Sequence, residues 1–401
     1  MKREVEKILG LVQKPARYTG GEYNSIVKEN CEFNYAICFP DVYEIGMSHL
    51  GSKILYGLLN EIDGVWCQRI FAPFNDMEAE MRKRDQALYA LESGMDAKKF
   101  DMLGFTMQYE LNYATILNML ELAGLKYYSK DREESDPIII GGGPCAYNPE
   151  PVADFFDIFS IGEGEEALVE LSKLYMQMKE NGTYTKTAFL REASHLDGFY
   201  VPSLYEVNYN ENGTISSFEP KYSDVPKKVV KRVISDLNTS YFPIKPIMPY
   251  IETVHDRIML EVFRGCIRGC RFCQAGMIYR PVREKSPEVL NSQARCLFES
   301  TGYDEPGIGG AKLLTVKYKD GEMSIDAKNL TFGKIVFRTE TLDVTGVDSN
   351  NEVINRVSRL VSEKKYDENT ALSIDFVGDI DPRFILPKNL GSDAFGLYSF
   401  E

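Results

Sequence analysis

Along the first 190 residues, apolar runs of strand length alternate with stretches of helical period. The runs are Phe33–Phe39, Val65–Phe71, Met102–Thr106, Pro137–Ile140 and Phe156–Ile161. Each is short and nearly uniformly apolar, as strands covered on both faces are. Met47–Asn60, Asp76–Arg84, Leu111–Leu122 and Glu163–Glu180 pattern as helices between and after them. In the first of these helices Ile54, Leu55, Leu58 and Leu59 share one side. This alternation predicts an α/β, Rossmann-like, doubly wound parallel sheet over residues 1–190, led in by a short helix and a polar stretch. Ligands of such sheets bind beyond the carboxyl ends of the strands.

The pattern then changes. Residues 191–257 read as a connector. Leu196–Pro220 alternates apolar and polar positions around Asn212-Gly213, a hairpin turn signal. Pro243, Pro246 and Pro249 predict extended chain. Lys227, Lys228, Lys231 and Arg232 form a small basic cluster that reads as a solvated face. Ile258–Phe263 is a further strand-length run, and Ser286–Ser300 a helix with Ser286 as N-cap and Pro287 in its first turn. Past residue 304 the pattern predicts an α+β domain. Lys312–Tyr318 and Glu322–Asp326 flank the turn Asp320-Gly321. Lys334–Val344, a helix over Asn350–Lys365 and a strand over Ala371–Phe376 come next. These last elements do not pattern as a run of βα units.

Composition narrows the function classes. A net charge of −14 argues against broad nucleic-acid binding. No apolar run reaches the roughly 20 residues of a membrane span. The segment MKREVEKILGLVQK lacks the apolar core of a signal peptide. A cytoplasmic chain is therefore expected, with cysteines 31, 38, 67, 145, 266, 270, 273 and 296 reduced. Cys38 and Cys67 lie in apolar runs and are expected to be packed.

The chemistry concentrates in residues 258–276, IMLEVFRGCIRGCRFCQAG. Cys266, Cys270 and Cys273 have the spacing C-x3-C-x2-C. Three thiolates on one loop suit one soft metal centre, and an odd number leaves one thiol outside any disulfide framework. Gly265 and Gly269 allow tight turns. Arg264, Arg268 and Arg271 bring positive charge that favours thiolate. A zinc site would need a fourth ligand from elsewhere. A [4Fe–4S] cluster with three protein thiolates and one open iron fits best.

The motif Cys266-x3-Cys270-x2-Cys273, with Phe272 before its last cysteine, resembles the radical S-adenosylmethionine (SAM) signature. Arg264-Gly265-Cys266 resembles the branch that carries an N-terminal cobalamin-binding-like domain. The resemblance implies that residues 258–303 begin a (β/α) barrel, cut short here. It implies a [4Fe–4S] cluster whose fourth iron is chelated by SAM, and an electron donor such as ferredoxin or flavodoxin. It further implies reductive cleavage of SAM to a 5′-deoxyadenosyl radical that takes hydrogen from a substrate the sequence does not identify. No further catalytic residue is assigned by it.

Three upstream loops resemble those of the cobalamin-binding domain. Asp41-Val-Tyr43-Glu-Ile-Gly46 is similar to its Asp-x-His-x-x-Gly pattern, with Tyr43 where the axial histidine stands. His49 comes three residues later and reads as structural. Gly141-Gly142-Gly143 and Gly162-Glu163-Gly164 are similar to the later loops. Their glycines suit either close approach to a flat ligand or tight strand-to-helix turns. The stretch 302–311 and the order of elements after it are similar to the C-terminal domain of calcineurin-like DNA-repair exonuclease subunits. The histidine-rich metal motifs of those nucleases are missing from a chain with three histidines. The change of resemblance near residues 300–306 leaves a second function class open: an inactive fusion or binding module that retains an iron–sulfur or zinc loop.

Overall fold

The computed structural model describes residues 2–255, 257–301, 311–319, 322–330, 336–347, 349–366, 370–378 and 399–400. The chain divides into two compact units, Met1–Thr301 and Gly302–Glu401.

The first unit is built on a six-stranded sheet of order β2-β1-β3-β4-β5-β6. The strands are β1 (Phe33–Phe39), β2 (Val65–Phe71), β3 (Met102–Thr106), β4 (Ile138–Gly142), β5 (Ile158–Ser160) and β6 (Phe199–Tyr200). The first five run parallel and β6 closes the edge antiparallel. The apolar runs become strands because both faces are covered: all of β1 except Asn34 is buried. Helices α1 (Lys2–Leu9), α2 (Tyr43–Gly46), α3 (Leu50–Asn60), α4 (Asn75–Arg84), α5 (Asn112–Leu122), α6 (Gly164–Glu180) and α7 (Lys186–Ala193) belong to this part of the chain. The alternation thus forms the expected α/β sheet, in the order that leaves a switch point between β1 and β3.

Local expectations fare differently from one another. Residues 47–60 are not one helix, because His49 is extended and caps α3, its ring nitrogen accepting the Ser52 N–H. The Asn212-Gly213 hairpin forms, with β7 (Tyr205–Tyr209) against β8 (Ile215–Pro220). The run Ile258–Phe263 is strand only at its end: β9 is Phe263–Arg264, paired antiparallel with β10 (Arg283–Glu284). Its apolar residues are used otherwise. Ile258 and Leu260 pack on a small cluster of Ile54, Phe242 and Leu297, the last from α9 (Pro287–Thr301). Among the described residues no strand pairs with 258–262, although the Val262 carbonyl accepts the Lys285 N–H at 2.9 Å, and a mostly unpaired ladder does not persist as strand.

The second unit has a hairpin of β11 (Ala311–Lys319) and β12 (Glu322–Leu330). The Asp320-Gly321 turn lies outside the described residues, as do residues 302–310 of the nuclease-like stretch. Next come β13 (Val336–Asp343), α10 (Asn350–Lys364), β14 (Thr370–Val377) and β15 (Ser399–Phe400), the three strands in one parallel sheet. The expected strand, helix and strand form, and the two strands pair in parallel as one strand–helix–strand unit, which the pattern did not suggest. Val353, Val357 and Val361 recur every four residues on α10 and bury against Leu372 and Ile374.

One charged group lies deep in the first unit. Arg69 donates to Glu22 (Nη2–Oε2 2.8 Å) and Glu92 (Nε–Oε1 2.6 Å), all three buried. The Tyr43 hydroxyl donates to Glu22 at 2.9 Å. Burial pushes the Glu22 carboxyl up, but Arg69 more than offsets this and holds it below its ordinary 4.5. A depressed carboxylate contributes stability that is full above 4.5 and is lost as pH falls through the lowered value. Arg69→Ala strands two buried carboxylates and should cost about 3–5 kcal/mol in urea unfolding. The cost should shrink as pH falls, because protonation neutralises the two stranded carboxylates.

Candidate functional site

A cavity of about 440 Å³ opens at the carboxyl edge of the sheet. The strand ends and the loops leaving them supply its lining: His49–Ser52, Ile54 and Leu55 after β1, Thr106 and Gln108 at and after β3, Gly142–Pro144 at β4, and Ser160 with Gly162–Glu165 and Leu168 around β5. Glu261, Phe263, Arg264, Gly265 and Tyr279 complete the wall, so the cysteine-bearing segment adjoins the cavity.

The glycines divide by cause. At Gly142 an added Cβ would meet only Ser160, at 3.9 Å, so the wall there is bare backbone beside open space. Gly143 has φ +104°, and a Cβ would press on the Met107 carbonyl at 3.0 Å. Gly162, at φ +111°, is demanded by the chain itself. Its Cβ would stand 2.2 Å from the Arg232 carbonyl, because residues 161–163 and 232 exchange backbone hydrogen bonds. Gly164 opens α6 and lines the cavity, while Gly141 lies against Met107 and Phe159 and does not.

The Asp41–Gly46 loop is placed elsewhere. Asp41, Tyr43 and Gly46 do not line the cavity. Tyr43 is buried and its hydroxyl is engaged by Glu22. A side chain on Gly46 would collide with the Phe71 ring. Tyr43 thus acts as a tie between the N-terminal lead-in and the sheet, in a position with no access to a ligand in the cavity. His49 does line the cavity. Burial pushes its ring down to about 4, with Gln108 partly offsetting. A backbone N–H only donates, so the Ser52 N–H at 3.1 Å makes Nδ1 an acceptor and places the ring proton on Nε2. Thr106 carries a buried hydroxyl oxygen with no hydrogen-bond partner. Thr106 and Gln108 were missed in the sequence, although the carboxyl-end rule points to the residues that close β3.

An ion-pair network fastens the cysteine segment beside this cavity. The Glu163 carboxylate takes both Arg283 nitrogens, at 2.7 Å each, and the Ile234 N–H at 2.5 Å. Arg264 reaches Glu163 (3.6 Å), Glu165 and Glu261 (2.7 Å). Lys285, fully buried, stands 3.4 Å from Glu261 and 4.4 Å from the Phe242 ring centre. Burial pushes the Glu163 carboxyl up, and Arg283, Ile234 and Arg264 together hold it below the ordinary carboxylate value. Arg264 is therefore committed to carboxylates, which corrects the expectation that it serves the thiols.

Beyond this neck runs the loop 265–282. Gly265 is required at φ +101°, since a Cβ would meet the Tyr279 and Pro281 carbonyls at 2.7 and 2.8 Å. Gly269 has nothing near it, so the tight turn falls at Gly265 alone of the two. The short helix α8 (Ala275–Ile278) is held by Tyr147 and Lys231, whose polar heads donate to the Ile278 carbonyl at 3.1 and 3.0 Å. Arg232 pairs with Glu166 and Glu170. Half of the basic cluster expected as a solvated face is thus structural. Cys270 is exposed and Cys266 and Cys273 half-buried. The thiols are not gathered: among the described residues no group of three or more His, Cys, Asp or Glu stands close enough to hold a metal ion. Ile267 and Phe272, on the same loop, are 80 % and 93 % exposed. Cys38 and Cys67 are buried as expected, which pushes both thiols up. Among the described residues no helix is long and apolar enough to cross a membrane.

Residues 51–202 match the family of radical SAM proteins, N-terminal region. The matched span runs from α3 past β6 and supports kinship of this part with the radical SAM proteins; the cysteine loop lies downstream of it. A Methanocaldococcus jannaschii protein described as uncharacterized is 27 % identical over 260 residues, 64 % of this chain and 44 % of its own length. The chain therefore spans less than half the length of that relative. No solved structure matches it.

Glu163→Gln removes the charge that holds both neck arginines. A hydrogen bond to a charged group contributes about 1.5–3 kcal/mol. Amides of β9 and β10 should exchange roughly ten- to a hundredfold faster in this variant, measured by hydrogen exchange, with β1 and β3 unchanged.

Proposed function

We propose that this protein holds a [4Fe–4S] cluster on Cys266, Cys270 and Cys273 and acts on S-adenosylmethionine as radical SAM proteins do. The observation that carries this is a conjunction. A three-thiol loop emerges from a neck that is ion-paired to a sheet whose sequence matches radical SAM N-terminal regions. The donor set fits: three soft thiols lie within eight residues, and one iron would be left open for a non-protein ligand. Gathering the thiols costs little packing, because the tip side chains Ile267 and Phe272 have almost none to lose.

When bound, such a cluster supplies the electron that cleaves SAM into methionine and a 5′-deoxyadenosyl radical, drawn from a small donor such as ferredoxin or flavodoxin. This chain's own residues do the positioning. Glu163 fixes the two ends of the loop through Arg264 and Arg283. Lys231 and Tyr147 hold its α8 carbonyl end. The cavity adjoins the loop at its first residue, Gly265. Cobalamin is a poorer fit. Tyr43 is buried away from the cavity, and the Nδ1 of His49 is spent on capping α3.

A second reading, an inactive module that retains the cluster, is favoured by one observation. β9 is two residues long and antiparallel to its partner, whereas the first strand of a (β/α) barrel is parallel to its neighbours. The residues after α9 form a separate unit with its own core.

Anaerobic reconstitution separates the readings. About four irons per chain are expected, falling to near zero in each of Cys266→Ala, Cys270→Ala and Cys273→Ala. Full iron retained in any of the three would end the proposal. With SAM and a strong reductant, 5′-deoxyadenosine supports turnover, and a cluster without that product supports the inactive module.

A further inference from the structure

The arginines of the cysteine segment fall into two sets. Arg264 and Arg283, at the neck, are committed to Glu163, Glu165 and Glu261. Arg268, Arg271 and Arg280 are exposed, and among the described residues their guanidinium groups make no ion pair. Residues 265–282 contain no Asp or Glu, so nothing on the loop itself answers these three charges. Between them in sequence stand Ile267, Phe272 and Met277, all exposed. Aromatic, methionine and arginine side chains together are the composition of protein–protein contact centres. The base of the loop is fixed, by Gly265 at one end and by Tyr147 and Lys231 on the Ile278 carbonyl at the other. The tip is therefore presented from a held neck.

Charge decides what this surface takes. The chain as a whole carries −14, and the loop carries three unmatched positive charges. An acidic protein is repelled by most of the surface and attracted here, which steers it to this one face. A long polyanion such as a nucleic acid would run off the loop onto the acidic remainder. A second copy meeting loop to loop would set three arginines against three.

We propose that the tip of the cysteine loop is the docking surface for a small acidic one-electron carrier protein. Phe272, Ile267 and Met277 meet an apolar patch around the carrier's redox group, and Arg268, Arg271 and Arg280 meet the carboxylates around that patch. The purpose of the contact rests on the radical SAM reading: the reduced carrier loses one electron and the cluster gains it. The contact itself does not, because the chain has these side chains with or without a cluster.

Flavodoxin is the probe, immobilised and exposed to the full chain by biolayer interferometry, before and after anaerobic reconstitution. Saturable binding is expected at low ionic strength and its loss in about 1 M salt, where the screening length is about 3 Å. Arg271→Gln with Arg280→Gln should weaken binding about three- to thirtyfold. Phe272→Ser, at a side chain that packs on nothing in the fold, should weaken it about tenfold. Arg295→Gln removes the same charge from an exposed position on α9 and should leave binding unchanged. The proposal is overturned if neither form of the chain binds at low salt. It is also overturned if the loop variants bind as the wild type does, or if Arg295→Gln weakens binding as much as they do. Iron analysis keeps the two readings apart. Binding through the loop arginines by a chain that takes up no iron sustains the docking surface and ends the cluster reading, and a loaded chain that does not bind overturns the docking surface alone.

Discussion

The Glu163 carboxylate is the contact on which the arrangement of the first unit's functional parts depends. It lies between β5 and α6, at the carboxyl edge of the sheet, and grips Arg283 with both oxygens while reaching Arg264. Those two arginines are register partners across β9 and β10, the two ends of the cysteine loop. The loop itself has little hydrophobic packing to place it. Its position is therefore set electrostatically, at the neck. Ion pairs removed from water are costly to form and gain little net stability, but they penalise any misplacement strongly. A neck held this way specifies geometry more than it adds stability.

The same carboxyl edge explains why the cavity and the loop are neighbours. Parallel strands with crossover helices leave their carboxyl ends facing one rim, and the switch point between β1 and β3 keeps that rim open. Arg232 pairs with residues 161–163 through the backbone and brings the connector onto the rim. Lys231 then reaches the α8 carbonyls. A stretch of basic residues that looks like plain solvated surface is thereby converted into the hinge side of the loop. Burial of the lysine and arginine stems with their heads on carbonyls and carboxylates is an ordinary use of amphipathic side chains.

Two expectations from family resemblance meet different fates for physical reasons. The three thiols stand apart in the structure, on a loop whose side chains Ile267 and Phe272 are exposed. Tyr43 is the opposite case. It sits at the position of an axial histidine in the pattern, yet it is buried in the Arg69–Glu22 group, where its hydroxyl satisfies a carboxylate. Moving it toward a ligand would leave that carboxylate one partner short in the interior.

Much of this was present in the sequence. The five parallel strands lie within two residues of the ends their apolar runs predict, because a two-sided buried strand needs a short unbroken apolar run and helices need a 3.6-residue stripe. The cysteine spacing points to a soft metal centre because ligand type and number are written in the residues themselves. What each glycine is for was not legible. Gly162 is required by Arg232, seventy residues away, and Gly142 stands beside empty space, though both occur in similar strings. Nor could the sequence say that Arg264 faces three glutamates instead of the thiols beside it, or that Ile258–Phe263 would pair as strand only at its last residue. Local periodicity reports how a segment pairs with water and core. Which charge meets which, and where an unpaired polar atom is left, depends on contacts between residues far apart in the chain, and only the tertiary structure decides them.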